Sequence, residues 1–366
     1  MRVLKTVDLN RALMERQLLR RRVKMSAAAV IEHLVGMQAQ VPASPYVGLW
    51  SRIAGFKPEE LSNLLLARAA VRTTLMRDTI HLVSARDCVV LRPVLQSMLA
   101  ARYWGCSFGR NLAGVDRAAV ISAGRAFVDE KPRTNIELGR LLQKKWPACD
   151  AVALGYAIRN LVCLVQVPPR GVWRQGGLPT LAAAETWIGR PMAAISDADE
   201  TLVRYLRAFG PATVADMQQW SGLSGLKETV ERLRPRLKMF RDERGRELFD
   251  VPDGARPRTR AAMPARFLPE YDNVLLAHED RSRVVPPEHR DYVVRPIGRS
   301  AVLVDGFARA FWKVEQTDRR AVLQVVLLDR IAARHRAAIE EEGLKLLVFL
   351  APEKIVKTVR FTTRTR

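Results

Sequence analysis

Cysteine is scarce in this chain: Cys88, Cys106, Cys149 and Cys163 are scattered through 366 residues, with no Cys-x-x-Cys pair among them. That spacing suggests neither a disulfide framework nor a thiolate zinc site, and it points to a reducing compartment. Long apolar runs are also missing. The longest, Leu344 to Leu350, falls well short of the ~18 to 20 residues that a membrane-spanning helix needs. The opening Met1-Arg2-Val3-Leu4-Lys5 has no extended apolar core, so no signal peptide is expected. No Ser-His-Asp order, glycine-rich phosphate loop or His-Glu-x-x-His appears, which argues against the corresponding hydrolases, nucleotide-binding enzymes and metalloproteases. Acidic residues are in deficit too, with 38 Asp and Glu against 60 Lys and Arg.

What remains is a basic chain of net charge +22 with an apolar fraction of 48%. The apolar share fits a globular protein with two to three cores. A GC-rich genome explains some of the arginine but does not require acids to be so outnumbered. The balance favours a polyanionic partner, because neutralising phosphates releases their counterions.

The most informative stretch is Gly36-Met37-Gln38-Ala39-Gln40-Val41-Pro42. Ser26 is placed to cap a helix over Ala27 to Val35, with Val30, Ile31, Leu34 and Val35 on one face. Pro42 disfavours helix at Val41, so the chain should be extended by Gln40. In extended chain alternate side chains share a face. Gln38 and Gln40 are therefore expected to present two amides to one spot. Glutamine does not ionise, so such a pair cannot be a strong general base. It can orient a water and aim carbonyl dipoles at developing positive charge. The bland alternative is that the two glutamines are loop polarity.

Four stretches carry a family resemblance. They are Gly36 to Arg52 around the glutamine pair, Arg77-Asp78-Thr79-Ile80-His81-Leu82-Val83, Phe267 to His278, and Val304-Asp305-Gly306-Phe307. Together they resemble the AlkZ-like winged-helix DNA glycosylases, whose motif is glutamine–apolar–glutamine. The YcaQ-type branch has aspartate at the second polar position; Gln40 places this chain with the AlkZ branch. The family more often has glycine where this chain has Asp78. The resemblance implies an α+β fold of three tandem winged-helix modules, 1–115, 116–190 and 196–255, followed by a small β-barrel over 262–366. It implies catalytic Gln38 and Gln40, hydrolysis of the glycosidic bond of alkylated purines such as N7-alkylguanine, and in some members the opening of interstrand crosslinks. Neither a metal nor an organic cofactor is implied. The expected partner is double-stranded DNA with alkylated purines, met by a monomer in the cytoplasm, at the nucleoid.

The elements read in order agree with that plan. A basic helix over residues 8 to 25, with Asp8 as cap, leads into helices at 44–54 and 58–68. A hairpin follows, from Val71 to Thr74 and Thr79 to Val83, and then a helix from Ser84 to about Gln96. Thr134 and Glu137 form a capping box. Val165 to Val167 and Val172 to Arg174 read as two strands about a Pro168–Gly171 turn. Thr213 caps a helix inside the third module, whose hairpin is Lys238–Asp242 with Glu247–Asp250. Residues 252–266 read as a Pro/Arg-rich linker. Beyond it, strands are expected at Tyr292–Val294, Ser300–Val304, Phe307–Val314 and Ala321–Leu328, with turns at Pro296–Gly298 and Asp305-Gly306. A helix over Ile331–Gly343, a last strand Leu344–Leu350 and a frayed basic end complete the chain.

Arg20, Arg21, Arg22 and Lys24 beside the motif, Arg77 and His81 in the family's Arg-x-Thr-x-His pattern, and Arg258 and Arg260 in the linker are the expected DNA contacts. Asp272, His278, Glu279, Asp280 and His289 form an acid and histidine cluster whose spacing fits no trusted metal set. Two other readings stay open: a non-catalytic winged-helix DNA-binding regulator, and a hydrolase built on that cluster.

Overall fold

The computed structural model describes residues 1–194, 198–257, 261–290 and 299–363. They form a mixed α+β architecture with three separate sheets. None of the described helices is long and apolar enough to cross a membrane.

The sheet that positions the site has six strands. Their order is Met37–Gln38, Ile80–Ser84, Ala70–Thr74, Leu164–Gln166, Thr180–Ala183 and Arg133–Thr134. Ala70–Thr74 and Ile80–Ser84 form the expected hairpin, in a register that sets Thr73 opposite His81. Its tip holds Arg77 and Asp78 at φ of 58° and 61°. That left-handed backbone is where glycine is least strained, which gives a physical reason for the family's usual glycine at Asp78. The outer edge of the hairpin pairs with the next unit, Arg72 opposite Gln166 and Thr73 opposite Val165. One sheet therefore crosses the expected boundary at residues 115 and 116.

The second hairpin departs from the sequence reading. Leu164–Gln166 pairs with Thr180–Ala183, not with Val172 to Arg174. Pro168 and Pro169 have no N–H to give to a ladder, so the chain cannot turn straight back. It runs instead as a loop that seats Trp173 against Tyr46 and Phe349, with ring centroids 4.8 and 5.3 Å apart.

In the third unit, Thr213 and Asp216 make a reciprocal capping box at helix Val214–Ser221. The hairpin Lys238–Asp242 with Glu247–Asp250 forms as read. Val3–Leu4 adds a parallel strand to it that the sequence did not suggest.

The C-terminal unit is a five-stranded sheet. Its order is Arg266–Leu268, Ala301–Val304, Phe307–Gln316, Arg320–Leu327 and Val356–Thr363. Among the described residues no pairing joins the two outer strands, so an open sheet stands where a barrel was expected. Leu344 to Leu350 is the end of one helix, Ala333–Leu350, rather than a strand. Ile339, Glu342, Gly343, Leu346 and Leu347 are its buried positions, at helical spacing. Gly343 lies inside this helix, not past its end, and a Cβ there would stand 2.7 Å from the Leu323 side chain, so close packing accounts for the glycine. The basic end is not frayed through residue 363: Val356–Thr363 pairs in parallel with Arg320–Leu327. Tyr292 to Val294 and Pro296 to Gly298 lie outside the described residues.

The N-terminal helix spans Thr6–Arg16, with Asp8 inside its first turn accepting from Lys5 N at 3.0 Å rather than standing as the cap. One large core joins the units: Leu13, Val71, Leu91, Tyr205, Phe209 and Trp220 all belong to it. A second core sets the C-terminal sheet against the motif's helices through Leu49, Phe267 and Leu347.

Candidate active site

The motif loop is built by a sharp exit from a helix. Ser26 caps Ala27–His33, accepting from Ala29 N at 3.3 Å. Val35 and Gly36 then reverse the chain at φ of 54° and 90°. At Gly36 a Cβ would stand 2.7 Å from Val83 Cγ1, so both space and backbone call for glycine. Met37 and Gln38 pair with Leu82 and His81, and there the named strand ends.

The ending decides where the two amides go. Gln38 opposes His81, which opposes Thr73, so these side chains share one face of the sheet. Arg72 and Gln166 oppose one another on the other face. Gln40 lies past the strand, where alternation no longer holds, and lines a cleft together with Arg72 and Gln166. Gln38 lines a different cavity. The expectation of two amides at one spot is therefore corrected: they serve separate hollows.

On the Gln38 side the polar groups are closely paired. Gln38 is 6% exposed. Its Oε1 accepts from Arg77 Nη2 at 2.7 Å. The same nitrogen donates to Asn273 Oδ1 at 2.9 Å, and Arg77 Nη1 donates to Trp220 O at 2.8 Å. Burial, with Arg281 and Arg102 nearby, lowers the Arg77 guanidinium to about 10. His81 is fully buried. Its Nδ1–H donates to Thr79 O at 3.1 Å, and Nε2 stands 3.5 Å from Arg77 Nη2. Burial and the Arg77 charge lower the imidazole to about 3, so it is neutral at physiological pH. Beside Gln38 is a cavity of about 10 Å³ lined by Gln17, Arg52, Asp272 and Asn273. It has room for roughly one water. Arg52 and Asp272 form a buried bidentate pair there, at 2.9 and 3.0 Å.

The Gln40 side is open. Gln40 is exposed, and its Oε1 accepts from Ile80 N at 3.3 Å. The cleft holds about 230 Å³ and is lined by Arg72, Asn135, Tyr156, Arg159, Gln166 and Arg170, with no carboxylate and no lysine among the described residues. Arg72 is 2% exposed and donates from Nη2 to Ala39 O at 2.8 Å, gripping the peptide between the two glutamines. Gly171, at φ 101°, passes over it, where a Cβ would meet Arg72 Cδ at 2.8 Å. Tyr46 holds that loop by donating to Gly171 O at 2.8 Å.

The remaining expected contacts divide. Arg20 pairs with Glu15 at 2.8 Å. Arg22 donates to Trp50 O and to Glu342, and its guanidinium lies 4.3 Å over the Trp50 ring. Arg77 is half-buried and tied to Gln38, Asn273 and Trp220, whereas His81 is fully buried and is corrected from a DNA contact to an internal support. Arg21 and Lys24 are exposed. Arg258 and Arg260 lie outside the described residues. The acid and histidine cluster is dispersed. Asp272 binds Arg52, His278 bonds Phe209 O at 3.1 Å, and Asp280 pairs with Arg246. His289 does meet Asp329 and Glu288 within reach of a common ion, but Arg309 stands 3.3 Å from Asp329 and 3.9 Å from Glu288. A cation already occupies that charge balance.

Sequence reasoning missed Arg72, Asn135, Tyr156, Arg159, Gln166 and Arg170. The one available signal was an arginine within the β-branched run Val71 to Thr74.

Comparison with known proteins places the whole chain. A family model described as "DNA glycosylase AlkZ-like" matches residues 31–349. An interstrand DNA cross-link repair glycosylase of Streptomyces sahachiroi is 25% identical over 333 residues, 82% of this chain and 85% of that protein. The solved structure of the Streptomyces sahachiroi DNA glycosylase AlkZ superposes with a TM-score of 0.77 at 23% identity, covering 98% of this chain and 100% of the other.

Proposed function

The chain belongs to the AlkZ-like DNA glycosylase family, and we propose that it hydrolyses the N-glycosidic bond of alkylated purines in duplex DNA, N7-alkylguanine foremost, with Gln40 as the residue that meets the reacting sugar. The observation that carries this reading is an exposed Gln40 amide at a cleft lined by three arginines and no acid. Alkylation at N7 makes the base cationic. As the C1′–N9 bond breaks, its electron pair neutralises the base, which then leaves without a general acid. The sugar becomes oxocarbenium-like, water adds to C1′, and its surplus proton passes to solvent. An amide oxygen fixed beside C1′ stabilises that charge and orients the water. Gln38 is a positioning residue in this scheme: it fixes Arg77 and the strand end from which Gln40 departs.

Among the described residues no lysine lines the cleft. A coupled strand-cleaving step needs an amine to form a Schiff base, so the reading is monofunctional. The Streptomyces relative is named for cross-link repair. A base tied to the opposite strand cannot be fully extruded, and an open cleft suits such a substrate better than a closed base pocket. Unhooking of interstrand crosslinks is therefore part of the proposal.

The test is release of free 7-methylguanine from a duplex under single-turnover conditions. Gln40→Ala is expected to slow release ~10² to 10³-fold, the usual loss for one preorganised polar contact. An unchanged rate removes Gln40 from the scheme. Tight binding by the wild type with no base released favours a non-catalytic DNA-binding protein instead.

A further inference from the structure

The cleft beside Gln40 contains more unanswered polar atoms than the proposed reaction uses. Arg72 Nε and Nη1, Asn135 Oδ1 and Gln166 Oε1 are all buried without a hydrogen-bond partner among the described residues. All three residues line this one cleft. They come from different places in the chain: Arg72 from the first hairpin, Gln166 from the strand opposite it, and Asn135 from the first turn of helix Asn135–Gln143. Buried polar groups are normally satisfied, so a concentration of exceptions in one hollow suggests a ligand that satisfies them.

We infer that the cleft is a subsite for one phosphodiester of the substrate strand, held by Arg159 and Arg170 over the buried Arg72 and placed so that the adjoining sugar lies at Gln40. This rests on the proposed glycosylase reading and extends it to the substrate's backbone. Charge decides for a phosphate and against the damaged base. Three guanidinium groups with no acid among the described lining residues attract an anion, even with Asp78 offsetting part of the Arg159 charge, whereas an N7-alkylated purine is itself a cation. Arg72 is lowered to about 10 by burial and by Arg170, a strain that an anion relieves. The two amides are compatible with the same ligand. Their oxygens have no partner, so turning either amide end for end breaks no bond at its oxygen and offers N–H to a phosphate. A phosphate fixed here also sets a negative charge near the sugar, where positive charge develops as the base departs.

The test crosses protein variants with substrate variants. Duplexes carry one non-hydrolysable 7-methyl-2′-fluorodeoxyguanosine and one neutral methylphosphonate, moved stepwise through the phosphates on either side. Binding is measured with wild type, Arg159→Gln and Arg170→Gln; Arg72 is left intact because its loss also frees the motif peptide. One methylphosphonate beside the lesion is expected to weaken wild-type binding about 10-fold, as loss of a charged hydrogen bond does. The same methylphosphonate should cost clearly less in either variant, because each has lost one of the three guanidinium groups that the phosphate meets. Independent, multiplying losses at every position overturn the subsite. So does a shift in which alkylated purine is released with no dependence on any phosphate, which would make the cleft a base reader. Base release is assayed separately. Coupling without release supports the subsite while removing the glycosylase reading; release without coupling removes the subsite alone.

Discussion

The two faces of the six-stranded sheet treat polar side chains in opposite ways. On the Gln38 face, the amide oxygen, the Arg77 donors, the Asn273 oxygen and the Arg52–Asp272 pair answer one another across three units of the chain. The hollow left over holds about 10 Å³. On the Gln40 face, the hollow is about 230 Å³ and its guanidinium and amide groups include several without partners. A satisfied polar network rigidifies a fold, whereas an unsatisfied one is costly unless something binds. The difference teaches that two residues of one motif can divide the work. Gln38 faces the side that holds the units together, and in the proposed scheme Gln40 faces the side that takes the ligand.

The sharpest way to break this contrast is to cut the closed face. Arg52 also donates to Gln17 O and Gly48 O, so its guanidinium is fixed whether or not its carboxylate is present. Asp272→Asn leaves that charge buried without a counterion, and is expected to cost roughly 3–5 kcal/mol of stability. Thermal or denaturant unfolding reads the loss. A loss below about 1 kcal/mol would mean that water reaches this face. Gln38→Ala is the next step down. It removes one acceptor from Arg77 but leaves Asn273 and the Trp220 carbonyl. The expected loss is about 1.5–3 kcal/mol, the range for a hydrogen bond to a charged group. Base release by Gln38→Ala should fall less than by Gln40→Ala when both are measured below their unfolding transitions. Equal falls would return both amides to the chemistry.

Much of this arrangement was legible in the sequence, for local reasons. Ser26, Thr134 and Thr213 cap the helices assigned to them because a hydroxyl before an apolar-periodic run has a backbone N–H to accept. The hairpin ending in Arg77-Asp78 was read from its β-branched strands. What the sequence could not show is which edges meet. Nothing in Arg72 or Gln166 says that they lie opposite one another, and the open cleft depends on that pairing. The glutamine pair failed for a finer reason. Period-two alternation was carried past the residue where the strand stops. Leu344 to Leu350 is apolar enough for either a strand or a helix, and its buried face continues that of Ile339 and Gly343. In the last strand, Val356–Thr363, most residues are exposed or half-buried, so its basic side chains hid its pairing.

A further test reads the closed face through its pH dependence. His81 has an ordinary value near 6.5 and is lowered to about 3 by burial and Arg77; His278 is lowered to about 3 as well, by burial and Arg283. In the unfolded chain both take up a proton near pH 6.5, while the folded protein refuses it until about pH 3. The stability they contribute is thus complete above pH 6.5 and is lost as pH falls toward 3. Each group adds a slope of up to about 1.4 kcal/mol per pH unit in that window. His81→Asn should remove one such slope when denaturation midpoints are compared at pH 4, 5, 6 and 7, leaving the His278 contribution in place. Because His81 stays neutral throughout the working range, base release from pH 5 to 8 should show no step that this substitution abolishes. A step near pH 6.5 that vanished with His81→Asn would mean that the imidazole titrates in contact with water or substrate, and the face on which Gln38 lies would then be as open as the one that Gln40 serves.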